Sequence, residues 1–271
     1  MDLLRRELAP ITPTAWQEID AMARDALSAN LSARKFVDLD GPHGIAHACV
    51  NLGRLETPSG QKPDAVRYGV HQVLPLVETR VNFVLKQWEL DNIDRGARDF
   101  QLDALVSAAR KIAEFEEKAV FAGFKEADVK GLHSETPTPL IPLTLEMDAI
   151  VDAVSEAQTR LLRDGIEGSA NLVVDPEVWK FLARSTPGGT LRSLLEQQLG
   201  GQVVYSNVVN GALLTAARGG DLELTVGQDF SIGYHHHTSD EIHLFMTESF
   251  TFRVITPEAL VGFELKKRAK K

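Results

Sequence analysis

The segment 52–87 constrains the fold of this chain more than any other, because it predicts strands that have no evident partner of their own. Two extended stretches flank a polar loop in its first half. From Val77 to Leu85, apolar residues then alternate with polar ones, which is the period of a half-buried strand. A long two-stranded arm is barely stable alone in water, and its open edges invite pairing with another chain. The segment therefore predicts a subunit of an oligomer.

Helical and extended patterns are mixed along the rest of the chain, which indicates an α+β fold. Helices are predicted at 13–31, 102–121, 146–163, from 176 onward and at 191–199, and strands at 34–39, 172–174, 222–226, 242–246 and 250–254. The helix at 102–121 has the clearest apolar side, and Gly123 follows its end. The alternation of apolar and polar residues in the predicted strands 242–246 and 250–254 is interpreted as changing phase at Glu248, which predicts a β-bulge there.

Composition and charge exclude several classes of protein. The chain has 271 residues, of which 44% are hydrophobic, and its net charge is −9. An acidic chain is a poor general binder of nucleic acid, and no apolar run is long enough for a membrane helix, so we expect neither partner. The basic tail at 266–271 is interpreted as a solvated terminus rather than a binding arm. The single cysteine, Cys49, and the lack of an apolar signal segment favour the cytoplasm.

The sequence offers few groups that could carry chemistry. It contains no phosphate-binding glycine loop, dinucleotide fingerprint, nucleophile elbow or zinc-protease pair. His235, His236 and His237 are the best metal candidates, since imidazole binds zinc, copper and iron. Consecutive residues on a strand point to opposite faces, so a polar hairpin turn is the favoured interpretation of this triplet. We therefore expect no catalytic residue, no required cofactor and no metal site.

Two further features allow a functional and a structural interpretation. Glu114, Glu116 and Glu117 on the long helix suggest a carboxylate site, although a solvated helix face is favoured. Trp88 follows a predicted strand and is either a stacking platform for a planar ligand such as a flavin or a packing residue.

Several short stretches, spread in order from end to end, resemble the classical, linocin-like shell proteins of encapsulin nanocompartments. They are Leu8–Thr12, Arg34–Asp38 with Gly41–Gly44, Trp88–Gly96, Asp164–Gly168, Arg218–Asp221, Gly227–Tyr234 and Glu248–Phe252. Each stretch is unremarkable alone, but their order and spacing cover nearly the whole chain. The histidine triplet and the basic tail depart from the family pattern.

The resemblance implies the Hong Kong 97-type phage capsid fold and a division of the chain into regions. These are an N-terminal helix and the start of a peripheral domain (1–51), an extended β-arm (52–87), the peripheral domain with its spine helix (88–130), an axial domain (131–220), the peripheral sheet (221–265) and the basic tail (266–271). It also implies a loop that lines the five-fold pore: Ser185, Thr186, Pro187, Gly188, Gly189 and Thr190.

The resemblance implies a self-assembling icosahedral shell that encloses a cargo enzyme, either a ferritin-like iron oxidase or a dye-decolorising peroxidase, through a C-terminal targeting peptide of the cargo. Matched by position, the peptide-binding residues are Leu27, Leu31, Arg34, Asp38 and Ile232, with the two charged residues as polar contacts. On this basis we expect Arg34→Glu to spare assembly and reduce cargo loading. In some relatives the tryptophan matching Trp88 stacks on a flavin, so FMN is a possible ligand there.

Two alternatives share features with this interpretation. A viral major capsid protein has the same fold but packages nucleic acid, and the net acidity argues against it. A bacteriocin-like peptidase is a label that the linocin-like family has carried, but no catalytic constellation in this sequence supports it.

Overall fold

The computed structural model describes residues 3–186 and 189–266. Its helices are α1 Pro13–Asn30, α2 Gln87–Asp94, α3 Asp103–Ala122, α4 Leu132–Glu135, α5 Met147–Arg163, α6 Pro176–Leu182 and α7 Leu191–Leu199. Its strands are β1 Asp38–Asp40, β2 Cys49–Glu56, β3 Val70–Pro75, β4 Val77–Lys86, β5 Ile141–Leu143, β6 Ala170–Val174, β7 Ser185–Thr186, β8 Gly189–Thr190, β9 Val203–Tyr205, β10 Ala212–Ala216, β11 Leu222–Val226, β12 Ser231–His237, β13 Glu241–Val254 and β14 Leu260–Leu265. Within the described ranges, no helix is long and apolar enough to cross a membrane.

The first sheet is organised around the long strand β13. Strand β4 is antiparallel to it from Glu241 to Phe250, while β12 and β11 pair with successive parts of it and β1 is parallel to β11. Helix α1 begins at the Thr12 cap, whose side chain accepts the Ala15 N–H, with Pro13 in the first turn. α1, α2 and the first half of α3 bury their apolar sides against β4, β12 and β13.

The second sheet has the order β5-β14-β10-β6-β9 and lies under α5, α6 and α7. The second half of α3 connects the two sheets, because Val120 and Phe121 share a core with Val173 of the second sheet and Phe250 of the first. α3 is thus the element against which both halves of the chain pack.

Two predicted boundaries differ from the structure. Residues 33–35 form a 3₁₀ turn rather than the start of a strand, and the strand is only Asp38–Asp40. The predicted arm at 52–87 is a separate two-stranded ribbon only as far as β3, because β4 pairs along its length with β13. The alternation that we assigned to the arm belongs to a strand of the first sheet, which pairs with β13 along one of its edges.

The predicted bulge at Glu248 is wrong. β13 continues through this residue, and Ile242, Leu244, Met246, Glu248, Phe250 and Phe252 keep one alternation phase. The irregularity of the register is on β12 instead, between Tyr234 and His236. A glutamate therefore stands at an interior position of an otherwise apolar series.

The loop before β2 lies against the end of β11. The N–H of His43 donates to the Val226 carbonyl at 3.0 Å, and that of Gly44 donates to Gly227 at 2.8 Å. Gly41 has a φ of 132°, and a Cβ there would overlap the Val226 carbonyl oxygen. Gly44 also has a positive φ, 94°, but a Cβ there would meet open space.

We therefore expect Gly41→Ala to destabilise the subunit by about 3 kcal/mol or more, because it adds a backbone clash to the strain of a left-handed residue. Gly44→Ala, the matched control, carries only the strain and should cost about 1–2 kcal/mol. Thermal unfolding of the two variants beside wild type measures the difference. Equal losses for both variants would contradict the close approach at Val226.

Candidate binding groove

The turn after α1 is held by two adjacent glutamates of α3 that are completely buried, Glu116 and Glu117. One Glu117 oxygen accepts the Ala33 N–H at 2.7 Å, and the other accepts the Ser32 hydroxyl. Burial raises the pKa of the Glu117 carboxyl to about 7, despite these hydrogen bonds. The favoured interpretation of a solvated glutamate face is therefore wrong for these two residues, and only Glu114 is exposed.

Arg34, in the same turn, lies at the centre of a network of carboxylates. Its Nη2 is 2.6 Å from Glu116 and its Nε donates to the same carboxylate at 3.0 Å, while Nη1 donates to Asp229 at 2.9 Å and Nη2 also donates to Glu248. The side chain is only 15% exposed, and its guanidinium lies 4.6 Å from the centre of the Phe230 ring. Most of the donors of Arg34 are therefore engaged within the subunit.

The network holds more acidic groups than one guanidinium can neutralise. Glu248 is fully buried, and its Oε2 has no hydrogen-bond partner among the described residues. Burial, followed by the neighbouring Glu116, raises the pKa of Glu248 well above its ordinary range. A raised pKa favours the protonated form of Glu248, which lowers the negative charge that the Arg34 guanidinium has to balance.

A groove of about 530 Å³ opens between α1 and β12, directly beside this network. Its apolar lining comes from α1, β13 and the chain around β12: Ala23, Leu27, Leu31, Phe230, Ile232 and Met246. The N-terminal segment forms one side, where the Leu4 carbonyl accepts the Tyr234 N–H at 2.7 Å. Arg6 lies over the Trp16 ring at 3.9 Å and pairs with Asp20 at 2.7 Å. The groove has the size of a ligand site and an apolar interior with a charged edge.

The structure brings four of the five expected peptide-binding residues into this groove: Leu27, Leu31, Arg34 and Ile232 all line it. Asp38 does not. Its carboxylate accepts the Gly220 N–H at 2.7 Å and lies in a separate depression near Gly219. The strand predicted at 34–39 would have carried both Arg34 and Asp38, and the 3₁₀ turn at residues 33–35 is the reason that they diverge.

The remaining candidates lie elsewhere. Trp88, at the start of α2, is 67% exposed, and the Arg95 guanidinium lies 5.6 Å from its ring centre. β7 and β8 form a small hairpin from Ser185, Thr186, Gly189 and Thr190 of the expected pore loop, whereas Pro187 and Gly188 lie outside the described residues.

The histidine triplet ends strand β12 rather than forming the turn itself. His235, His236 and His237 are exposed, His236 stacks on His243 at 4.1 Å, and His237 Nδ1 is 2.5 Å from the Tyr234 hydroxyl. In the described part of the chain, no group of three or more ligating side chains is arranged to hold a metal ion.

The network changes what is expected of Arg34. A glutamate at this position would add another carboxylate to Glu116, Glu248 and Asp229, so Arg34→Glu should prevent folding rather than spare assembly. Arg34→Ala should also reduce stability strongly, by about 3–5 kcal/mol, because it leaves buried acids without their cation. Arg24→Ala, on the exposed side of α1, is the control and should unfold like wild type. A melting temperature of Arg34→Ala equal to that of wild type would show that the network is not structural.

The Glu117 carboxyl predicts a pH dependence with a definite sign. Because its pKa is raised from 4.5 to about 7 in the folded subunit, its contribution to stability is fully present below pH 4.5 and is lost as the pH rises through 7. In Glu117→Gln the amide can accept the Ala33 N–H and donate to the Ser32 hydroxyl, so the decrease should be shallower. Unfolding midpoints between about pH 5 and 8 measure this, with Glu114→Gln as the exposed control. A slope in Glu117→Gln as steep as in wild type would refute the assignment.

Comparison with known proteins supports a shell protein. Residues 1–251 match the model of a family described as an encapsulating protein for peroxidase. The chain is 40% identical to the type 1 encapsulin shell protein of Rhodospirillum rubrum, with 96% of each chain covered. It is 31% identical to the protein of the same name from Mycobacterium tuberculosis, over 97% of this chain and 99% of that one. These relatives are structural proteins rather than enzymes.

Solved capsid structures have the same fold. The virus-like particle from Pyrococcus furiosus superposes with a TM-score of 0.66 at 15% identity, covering 92% of this chain and 98% of that chain. The capsid of Myoviridae phage XM1 gives a TM-score of 0.53 at 10% identity, covering 86% and 90% of the respective chains. The expected α+β fold of the Hong Kong 97 type is confirmed, and a capsid-like shell requires many copies of its subunit. By sequence and by fold, this chain belongs to the encapsulin shell protein family.

Proposed function

We propose that this shell encloses a cargo enzyme and that the groove between α1 and β12 binds a short targeting peptide at the C-terminus of that cargo. The observation that carries the proposal is the apolar lining formed by Leu27, Leu31 and Ile232 beside a buried charge network. A groove of about 530 Å³ accepts several aliphatic side chains of an extended peptide. The rigid network beneath it keeps the groove open in the absence of peptide, which lowers the cost of binding.

In this proposal Arg34 has a different role from the one first expected. It shapes the groove through Glu116, Glu248 and Asp229, and its guanidinium supplies part of the wall rather than a free charge for the peptide. Weak single contacts are sufficient, because a multimeric cargo facing a repeated wall gains affinity through avidity.

The exposed surface of the β2–β3 ribbon supports its assignment as the arm that lies on a neighbouring subunit. Its apolar residues Leu55, Val66, Tyr68, Val70 and Val73 are between 47% and 92% exposed. Apolar surface of this kind marks an interaction site in a soluble subunit. We assign the region around β1, α3 and the first sheet to the peripheral domain, the region around the second sheet to the axial domain, and the β7–β8 hairpin to the five-fold pore.

The cargo classes that we propose are a dye-decolorising peroxidase and a ferritin-like iron oxidase. The description of the matched family, which names a peroxidase, supports the first. The exposed ring of Trp88 is compatible with stacking of FMN, although Arg95 lies close to that ring. Free, exposed Cys49 suits a compartment in the reducing cytoplasm.

A variant that fills the groove without altering its apolar lining tests peptide docking. Ser28 is exposed on α1 and lines the groove, so Ser28→Trp should occupy the groove while the apolar core stays intact. Ala29→Trp is the matched control, because Ala29 is the next residue of α1, is also exposed and lies outside the groove lining. Co-purification of the native cargo with shells of each variant is the measurement.

We expect Ser28→Trp shells to assemble normally and to carry at most about one tenth of the wild-type amount of cargo, because one favourable contact surface is lost. Ala29→Trp shells should load like wild type. Equal loading of the two variants would show that the cargo peptide does not bind in the groove.

A further inference from the structure

Arg24 and Lys35 are two exposed cations at the edge of the groove. Both line it, and their side chains form no hydrogen bond or ion pair within residues 3–186 and 189–266. The other cations of the groove are paired: Arg6 with Asp20, and Arg34 with its carboxylate network. A charge left unpaired beside an apolar surface favours a ligand that supplies the opposite charge.

These two cations flank the apolar strip of α1 at its opposite ends. Arg24, Leu27, Leu31 and Lys35 follow one another at spacings of three or four residues. Arg24 and Leu27 lie along one side of α1, and Leu31 and Lys35 follow after its end at Asn30. A ligand seated on Leu27 and Leu31 therefore meets Arg24 at one end and Lys35 at the other.

The electrostatic surroundings differ between these ends. Lys35 adjoins the Arg34 network, in which three acidic side chains, Glu116, Glu248 and Asp229, surround a single guanidinium. The excess of acidic groups in this network offsets the ammonium of Lys35. At the other end Arg6 and Asp20 neutralise each other, which leaves the charge of Arg24 uncompensated. A guanidinium also binds a carboxylate through two parallel hydrogen bonds, which an ammonium cannot do.

We propose that Arg24 is a specificity residue that binds the terminal carboxylate of the docked peptide, so that the peptide lies with its C-terminus toward the N-terminal half of α1. This inference rests on the proposed docking function. A terminal carboxylate sits on the same residue as the last side chain, so one residue can place an apolar group against Leu27 and its charge at Arg24. The groove then distinguishes the end of a chain from an internal segment of the same sequence.

Loading of tagged carrier proteins tests this. A fluorescent protein carrying random octapeptides at its C-terminus is co-expressed with wild-type shells, and the tags that load are identified by mass spectrometry. The best tag is then compared in two forms: with its own free end, and with the same octapeptide followed by a Gly-Ser extension. Both forms are loaded into wild-type, Arg24→Gln, Lys35→Gln and Ser28→Trp shells.

We expect wild-type shells to load the free-ended tag about tenfold better than the extended one, as one charge-assisted contact would give. Arg24→Gln shells should load both forms equally and poorly, while Lys35→Gln shells keep most of the difference. Equal loading of both forms by wild type, or an unchanged difference in Arg24→Gln shells, would overturn the carboxylate contact. If the carboxylate contact fails this test but Ser28→Trp shells still load less of the tag than wild type, the proposed docking in the groove stands. If Ser28→Trp shells load the tag as well as wild type, the docking proposal itself is refuted.

Discussion

The buried contact between α3 and the turn after α1 is the constraint on which the rest of the site depends. Glu116 and Glu117 are taken out of water on the helix that packs against both sheets, and they are stabilised there by Ser32, Ala33 and Arg34. Burying carboxylates is costly unless they are paired and hydrogen-bonded. The turn therefore has one favourable position, and that position sets where α1 ends and where the groove begins.

The same contact separates structural from recognition roles among the charged residues. Arg34 is committed to three carboxyl groups of its own subunit, so its charge is already used before any ligand arrives. In the function that we propose, recognition is left to the apolar strip of α1 and β12 and to the exposed cations at the edge of the groove. Such a division suits a shell, because a preformed groove is repeated on every subunit and, in this proposal, a short segment of the cargo is enough to bind it.

Periodicity predicted the elements well, since the apolar positions of α1, α3 and α5 and the alternation of β4 and β13 report burial directly. It could not predict which strands pair, and so β4 was assigned to the arm. The charge network was missed for a physical reason: Glu248 occupies an apolar position of β13, and its partners Glu116 and Arg34 come from distant parts of the chain. The one sign of the network in the sequence is a glutamate, Glu248, at an apolar position of the series from Ile242 to Phe252. We interpreted it as a bulge. Leu27, Leu31, Arg34 and Ile232 came from family resemblance, and the 3₁₀ turn that excludes Asp38 has no clear mark in the sequence.

The account is tested most directly by electron cryo-microscopy of shells loaded with a cargo that carries its own C-terminal peptide. It predicts additional density along Leu27, Leu31 and Ile232, with the guanidinium of Arg34 still held between Glu116 and Glu248 and the end of the peptide beside Arg24. Loaded shells in which this groove is empty, or in which Arg34 has left its carboxylates to bind the peptide, would contradict it.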